Sequence, residues 1–169
     1  MEWRIRRVVP EDARTVRTLR LAMFDTYPDA FFTDVDAWRS YGNAFWLDFT
    51  HRAATSKTEA IFIAGIDDDM LAMAHVVIRG EQAEFGMQFV APEAQRRGIG
   101  AALIAERERW AQANGAVVAH CAIVVGNLAS ERLHETAGWI ATDEVVLERA
   151  PTADAPAVYE RRWHKPPPR

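Results

Sequence analysis

An α/β fold built on one mixed sheet is predicted by three observations. Short apolar runs of strand type recur at residues 60–64, 70–78, 83–90 and 117–125, interleaved with helical patterns. A Gly- and Asp-rich turn at residues 65–69 joins the first two runs and signals a hairpin. The run at 83–90 stops at Pro92, turns through a short polar loop and enters a helix at Gly98 and Gly100, which gathers free backbone N–H groups at a helix N-terminus.

The elements follow in order. Ile5-Arg6-Arg7-Val8-Val9 opens the chain as a strand, and Pro10 with Glu11 and Asp12 starts a helix: proline's fixed φ suits the first turn and the carboxylates complement the dipole. That helix, predicted over residues 11–26, puts Val16, Leu19 and Met23 on one face, and a second helix is predicted from 35 to about 54. After the hairpin and the strand at 83–90, a helix over 101–113 with Ile99, Leu103 and Trp110 on one side stops at Asn114-Gly115. Residues 117–125 form a strongly apolar strand, and a further helix runs from Asn127 to Gly138, a residue suited to the left-handed position that ends a helix. Residues 139–149 and 157–163 read as a closing strand pair, and 164–169, with three prolines, as a loose tail. The resulting order is β-α-α-β-β-β-α-β-α-β-β, in one domain over residues 1–163.

Composition narrows the function classes. A chain of 169 residues with 49% hydrophobic content supports one core, and a net charge of −4 argues against a general affinity for nucleic acid or anionic membrane. There is no apolar run of membrane-span length, no signal-peptide core, and one cysteine, which excludes an internal disulfide. The expectation is a cytoplasmic protein, monomeric or homodimeric. His51, His75, His120, His164 and Cys121 show no metal-ligand spacing, so no metal site is expected, and Cys121 inside an apolar strand reads as a small buried hydrophobe.

The loop before the 101–113 helix carries the chemistry. Gly98 and Gly100 let the backbone curl close to a pyrophosphate, and Arg96 and Arg97 add positive charge beside it. It is not a Walker loop, because Ala101 and Ala102 follow Gly100 where Lys-Ser/Thr is required. Nor is it a dinucleotide fingerprint, because Leu103 occupies the third-glycine position. The remaining pattern, Q-x-x-G-x-G preceded by Val90-x-Pro92 and followed by Ala102-Leu103-Ile104, resembles the acyl-CoA pyrophosphate loop of the GNAT N-acyltransferase superfamily. Residues 127–139 resemble that family's other motif: Asn127 opens a helix, Ser130 is the small third residue, Leu133 matches, and Gly138-Trp139 closes it. His134 stands where the family usually has a tyrosine that protonates the departing CoA thiolate.

The resemblance covers residues 5–163. It implies acetyl-CoA as acyl donor and a mostly antiparallel sheet whose central parallel strands splay apart, with helices on both faces. It also implies that pantetheine inserts into the splay against the backbone of Phe89 and Val90, with a bulge near Gln88 or Phe89. Gln95, Arg96, Arg97, Gly98, Ile99, Gly100 and Ala101 then hold the pyrophosphate, while Asn127 and Ser130 line the pantetheine arm. Glu84 is the candidate base, or else a solvated strand residue; His134 is the candidate acid, or else a surface residue. Tyr27, Phe31 and Phe32, in the segment linking the first two helices, are the candidate acceptor contacts. The carboxylates Asp25, Asp29 and Asp34 beside them suit a cationic amine, although the nearby Trp38, Tyr41, Phe45 and Trp46 also read as core. The leading function is N-acetyl transfer to a primary amine of a small molecule or peptide by direct transfer in a ternary complex. The alternative is a CoA-binding regulatory module with little catalysis.

Overall fold

The computed structural model describes residues 2–166. Its strands are β1 (Arg4–Arg7), β2 (Glu59–Ile66), β3 (Asp69–Arg79), β4 (Gln82–Val90), β5 (Val118–Val124), β6 (Ile140–Arg149) and β7 (Val158–Lys165). Its helices are α1 (Ala13–Thr26), α2 (Val35–Ser40), α3 (Asn43–Thr55), α4 (Ile99–Ala113) and α5 (Leu128–Thr136). The strands form one sheet in the order β1-β2-β3-β4-β5-β7-β6, antiparallel except for the β4–β5 pair.

Alternation along the strands builds two cores. Ala60, Phe62 and Ala64 of β2 point to one face with Ala72, Ala74, Val76, Ala83 and Phe85, under Leu103 and Ile104 of α4. Ile61, Ile63, Met73 and Phe89 point to the other, under Val16, Leu19 and Met23 of α1 and Trp46 and Phe49 of α3. Each Val, Leu, Ile, Phe or Met side chain among them contributes about 1.5–3 kcal/mol on removal from water, so a one-residue register slip that exchanged the two faces would forfeit both cores.

Among the boundaries that differ from the sequence expectation, three have a clear physical reason. Pro10–Asp12 is a short 3-10 turn ahead of α1, in which the Asp12 carboxylate accepts the Val9 N–H at 2.7 Å and pairs with Arg6 at 2.6 Å. The helix expected over 35–54 is two helices, because the chain is extended at Tyr41 (ψ 128°) and Gly42 (ψ 174°), and α3 restarts there almost without pause. The strand expected to end at 163 runs on to Lys165, since His164 and Lys165 pair with His120 and Ala119. Of the expected tail only His164, Lys165 and Pro166 are described; residues 167–169 lie outside the described part.

The feature that positions the site is where β4 and β5 stop pairing. Their parallel ladder covers only Gln82–Phe85 against Val118–Cys121; beyond Phe85 and Cys121 the strands part. On its other side β4 holds one extra residue against β3, with His75 opposite Gly86 and Met73 opposite Phe89, and Met87 takes the left-handed conformation (φ 50°) that accommodates it. The bulge therefore spans Met87 and Gln88, where the resemblance implies one near Gln88 or Phe89.

Candidate active site

A cavity of about 1080 Å³ occupies the opening between the two strands. At one end it is lined by Gln95, Arg96, Gly98, Ile99, Gly100 and Ala101 at the start of α4, and by Asn127, Ser130 and His134 of α5. The rest of the lining includes Tyr27, Asp29, Phe31 and Phe32 from the segment between α1 and α2, and Glu84 and Glu160.

The α4 end is made by backbone. Gly98 caps the helix at φ 80°, and a Cβ there would meet nothing within 4 Å, so conformation rather than space calls for glycine. Gly100 is the reverse case: a Cβ would come 3.1 Å from Leu133 Cδ2 and 3.4 Å from Gln88 Nε2, so its bareness lets α4 pack against α5 and β4. Arg96, at φ 60°, adopts a conformation that L side chains rarely take, which turns the loop into the helix. Of the expected cradle residues, Arg97 is exposed and does not line the cavity. Gln95 donates to the Tyr27 hydroxyl, which in turn donates to the Val90 carbonyl at 3.4 Å. Tyr27 also sets its ring edge-on to Phe89, with centroids 5.9 Å apart, so it is seated against the cradle and β4.

The α5 end is fixed by a cap. Asn127 Oδ1 accepts the Ser130 N–H at 3.3 Å, which satisfies an orphan donor of the helix and fixes where Asn127 points. His134 is buried, with Nδ1 2.8 Å from the Ser130 carbonyl, and a carbonyl only accepts, so Nδ1 carries the proton. Burial pushes the imidazole pKa down against the opposing pull of that carbonyl, and the Arg107 charge adds to the push, so the ring is neutral with a bare Nε2.

Between these ends lies a residue that sequence reading missed. Arg107 of α4 is fully buried and lines the cavity floor. It donates to the Leu103 carbonyl at 3.3 Å, to the His75 and Gly86 carbonyls at 3.2 and 3.4 Å, and to the Gln88 side chain, with its guanidinium 4.3 Å over the Phe85 ring. Arg107 thereby ties the helix to the bulge that opens the sheet, and burial lowers its pKa to about 9. Its signal is present in the sequence: Leu103, Arg107 and Ala111, all buried, repeat at helical spacing, so the arginine stands on the apolar stripe.

The part of the cavity around Glu84 and Glu160 is side-chain chemistry. Glu84 is held by Arg162 of β7 at 3.1 Å, and Arg162 also reaches Glu144 at 3.8 Å. Glu160, two residues before Arg162 on the same strand, is half-buried and has no hydrogen-bond or ion-pair partner among the described residues. Burial pushes its carboxyl pKa above the usual range, Glu148 and Glu84 push it further, and Arg162 works against them. In the roof, Phe31 packs edge-on to Phe24 at 6.4 Å, and Phe32 lies under the Arg149 guanidinium at 5.7 Å. Asp25 is paired with Arg39 at 2.6 Å, and Asp34 caps α2 through the Ala37 N–H at 2.9 Å. Of the three aspartates only Asp29 lines the cavity. Trp38, Tyr41, Phe45 and Trp46 pack on one another as helix-pair core. Cys121 is buried and its pKa is pushed up to about 12, chiefly by burial, so it is a thiol without nucleophilic character.

The model of the acetyltransferase (GNAT) family matches residues 16–139. This chain belongs to the GNAT family. It is accordingly an acyltransferase, with acetyl-CoA as its acyl donor. An aminoglycoside N(6')-acetyltransferase type 1 of Serratia marcescens is 29% identical over 135 residues, covering 69% of this chain and 92% of that protein. In fold the chain resembles a GNAT acetyltransferase of Streptococcus pneumoniae (TM-score 0.80, 16% identity, 97% of this chain and 99% of that one). It also resembles yncA of Salmonella typhimurium, a putative acetyltransferase solved with its cofactor acetyl-CoA (TM-score 0.78, 18% identity, 98% and 94%).

Proposed function

We propose that this GNAT acetyltransferase moves the acetyl group directly from acetyl-CoA to a primary amine of a small molecule, both substrates lying in the one cavity. The observation that carries this reading is the parting of β4 and β5 after Phe85 and Cys121, which opens a single cavity from the α4 cradle to Glu84, Glu160 and Asp29. The backbone from Gly98 to Ala101 faces the pyrophosphate, Phe89 and Val90 offer backbone groups to the pantetheine amides, and Asn127 and Ser130 border the arm. The buried Cys121 thiol offers no acyl-enzyme route, which favours a ternary complex. The acceptor reaches the site as an ammonium ion and loses its proton to a carboxylate of the cavity lining. Neutral His134 takes the second proton from the amine nitrogen of the tetrahedral intermediate at Nε2 and returns it to the sulfur as the C–S bond breaks. The carboxylates Asp29, Glu84 and Glu160, the aromatic Tyr27, Phe31 and Phe32, and the aminoglycoside acetyltransferase relative favour a cationic amine such as an aminoglycoside.

The test pairs a thermal melt with thiol release. Acetyl-CoA is expected to raise Tm while NAD does not, and kanamycin, spermidine or an alanyl-terminated peptide is expected to release CoA thiol with intersecting initial-rate lines. Parallel lines overturn direct transfer. Stabilisation by acetyl-CoA with no thiol release from any amine favours the regulatory reading instead.

A further inference from the structure

We infer that Glu160 of β7, rather than Glu84 of β4, is the base that takes the proton from the acceptor's ammonium group. The inference rests on the proposed acetyl transfer to an amine.

Register makes the first argument. Glu84 lies opposite His120, within the paired part of β4 and β5 and one residue before the strands part. Glu160 lies opposite Val124, three residues beyond Cys121, the last paired residue of β5, and so is level with the open gap. An acyl group carried in the gap is therefore presented beside Glu160.

Charge makes the second. Arg162 engages Glu84 at 3.1 Å and extends to Glu144, so the Glu84 carboxylate already has a cation and gains less from an arriving ammonium. The groups acting on Glu160 are Glu84 from β4, Glu148 from β6 and Arg162 from β7, while His120 on β5 shares this sheet face and Asp29 lines the cavity from the roof. The two glutamates and burial raise the proton affinity of Glu160 and Arg162 moderates it, the direction that suits a base working near neutral pH.

The step balances. Glu160 carboxylate takes one proton from R–NH3+, giving R–NH2 and the carboxylic acid. The nitrogen lone pair forms the C–N bond to the thioester carbon. Collapse of the intermediate breaks C–S, the electron pair leaves on sulfur, and the second amine proton ends there through His134. Glu160 then returns its proton to water.

The experiment measures kcat/KM against pH, with kanamycin and spermidine as acceptors, for the wild type, Glu160→Gln, Glu160→Asp and Glu84→Gln, alongside acetyl-CoA stabilisation of each variant. Glu160→Gln is expected to lower kcat/KM by about 10²-fold or more and to remove the acidic limb of the profile, with the acetyl-CoA Tm shift retained; Glu160→Asp restores part of the rate and the limb. In Glu84→Gln the limb persists but moves to lower pH, because a negative neighbour is lost and Arg162 is freed to act on Glu160. A Glu160→Gln enzyme within about threefold of the wild type with its limb intact overturns the assignment, as does loss of the limb in Glu84→Gln alone. Wild-type protein that binds acetyl-CoA but acetylates no amine overturns the proposed function, and the base assignment with it.

Discussion

The two ends of the cavity are built by different means. At the cradle the conformation of a few residues decides everything: Gly98 and Arg96 in the left-handed region, Gly100 bare against Leu133, and a helix whose first N–H groups have no intrahelical partner. On the Glu160 side no backbone device is visible, and the work falls to side chains from two strands and one loop: Glu84 and Arg162, whose charges act on Glu160, and Asp29. A backbone site tolerates exchange of its side chains but not of its glycines. A side-chain site is reset by single substitutions, so one fold can hold a constant donor and a changing acceptor.

The largest effect is expected where the ends meet. Replacing Arg107 with methionine leaves the carbonyls of His75 and Gly86 and the Gln88 side chain without their buried donor, a loss of roughly 3 kcal/mol and a Tm drop on the order of 10 °C. It should weaken acetyl-CoA binding and acceptor turnover together; a wild-type Tm would show that the guanidinium does not hold the bulge.

Next come the two glycines, which should separate. Gly98→Val places a branched residue at φ 80°, a strain of about 1–3 kcal/mol, and should weaken acetyl-CoA binding by roughly 5- to 150-fold in an equilibrium titration. Gly100→Ala meets the flexible ends of Leu133 and Gln88 and should lower Tm more than it lowers affinity. Equal losses of affinity in both variants would break the distinction between conformation and packing.

At the acceptor end Asp29→Asn should raise the KM for kanamycin several-fold with the acetyl-CoA KM unchanged, while Asp25→Asn, which removes only an exposed pair with Arg39, should not. Equal KM values in all three proteins would return Asp29 to a solvated loop.

The smallest effect is on stability against pH. The His134 pKa is lower in the fold than its ordinary 6.5, so the unfolded chain binds the extra proton; this part of the stability is present above that value and is lost as pH falls through the interval below it. His134→Asn should flatten the fall of Tm below pH 6.5, and an unchanged slope would place the titration elsewhere.

Legibility follows the same division. The succession of strands and helices, the hairpin and the glycine turn into α4 were readable because glycine placement and apolar periodicity act locally, and Asn127 and Gly138 announced the α5 caps. The break at Tyr41 and Gly42 was not, since aromatics continue across it from Trp38 to Trp46 and hide the boundary. Glu84 stood out in the sequence because it lies on the strand that leads into the loop. Its pairing with Arg162 joins positions 78 residues apart, and the unpaired state of Glu160 is a property of the assembled sheet, so neither has a local sign.

The gap between β4 and β5 is the proposed seat of the donor, and a crystal structure with CoA tests this most directly. The expected result has the pyrophosphate within hydrogen-bonding distance of the N–H groups from Gly98 to Ala101 and the pantetheine between residues 86–90 and 122–124, its sulfur towards Glu160 and His134. CoA bound elsewhere, or β4 and β5 found paired beyond Phe85 and Cys121 with the ligand outside them, would contradict it.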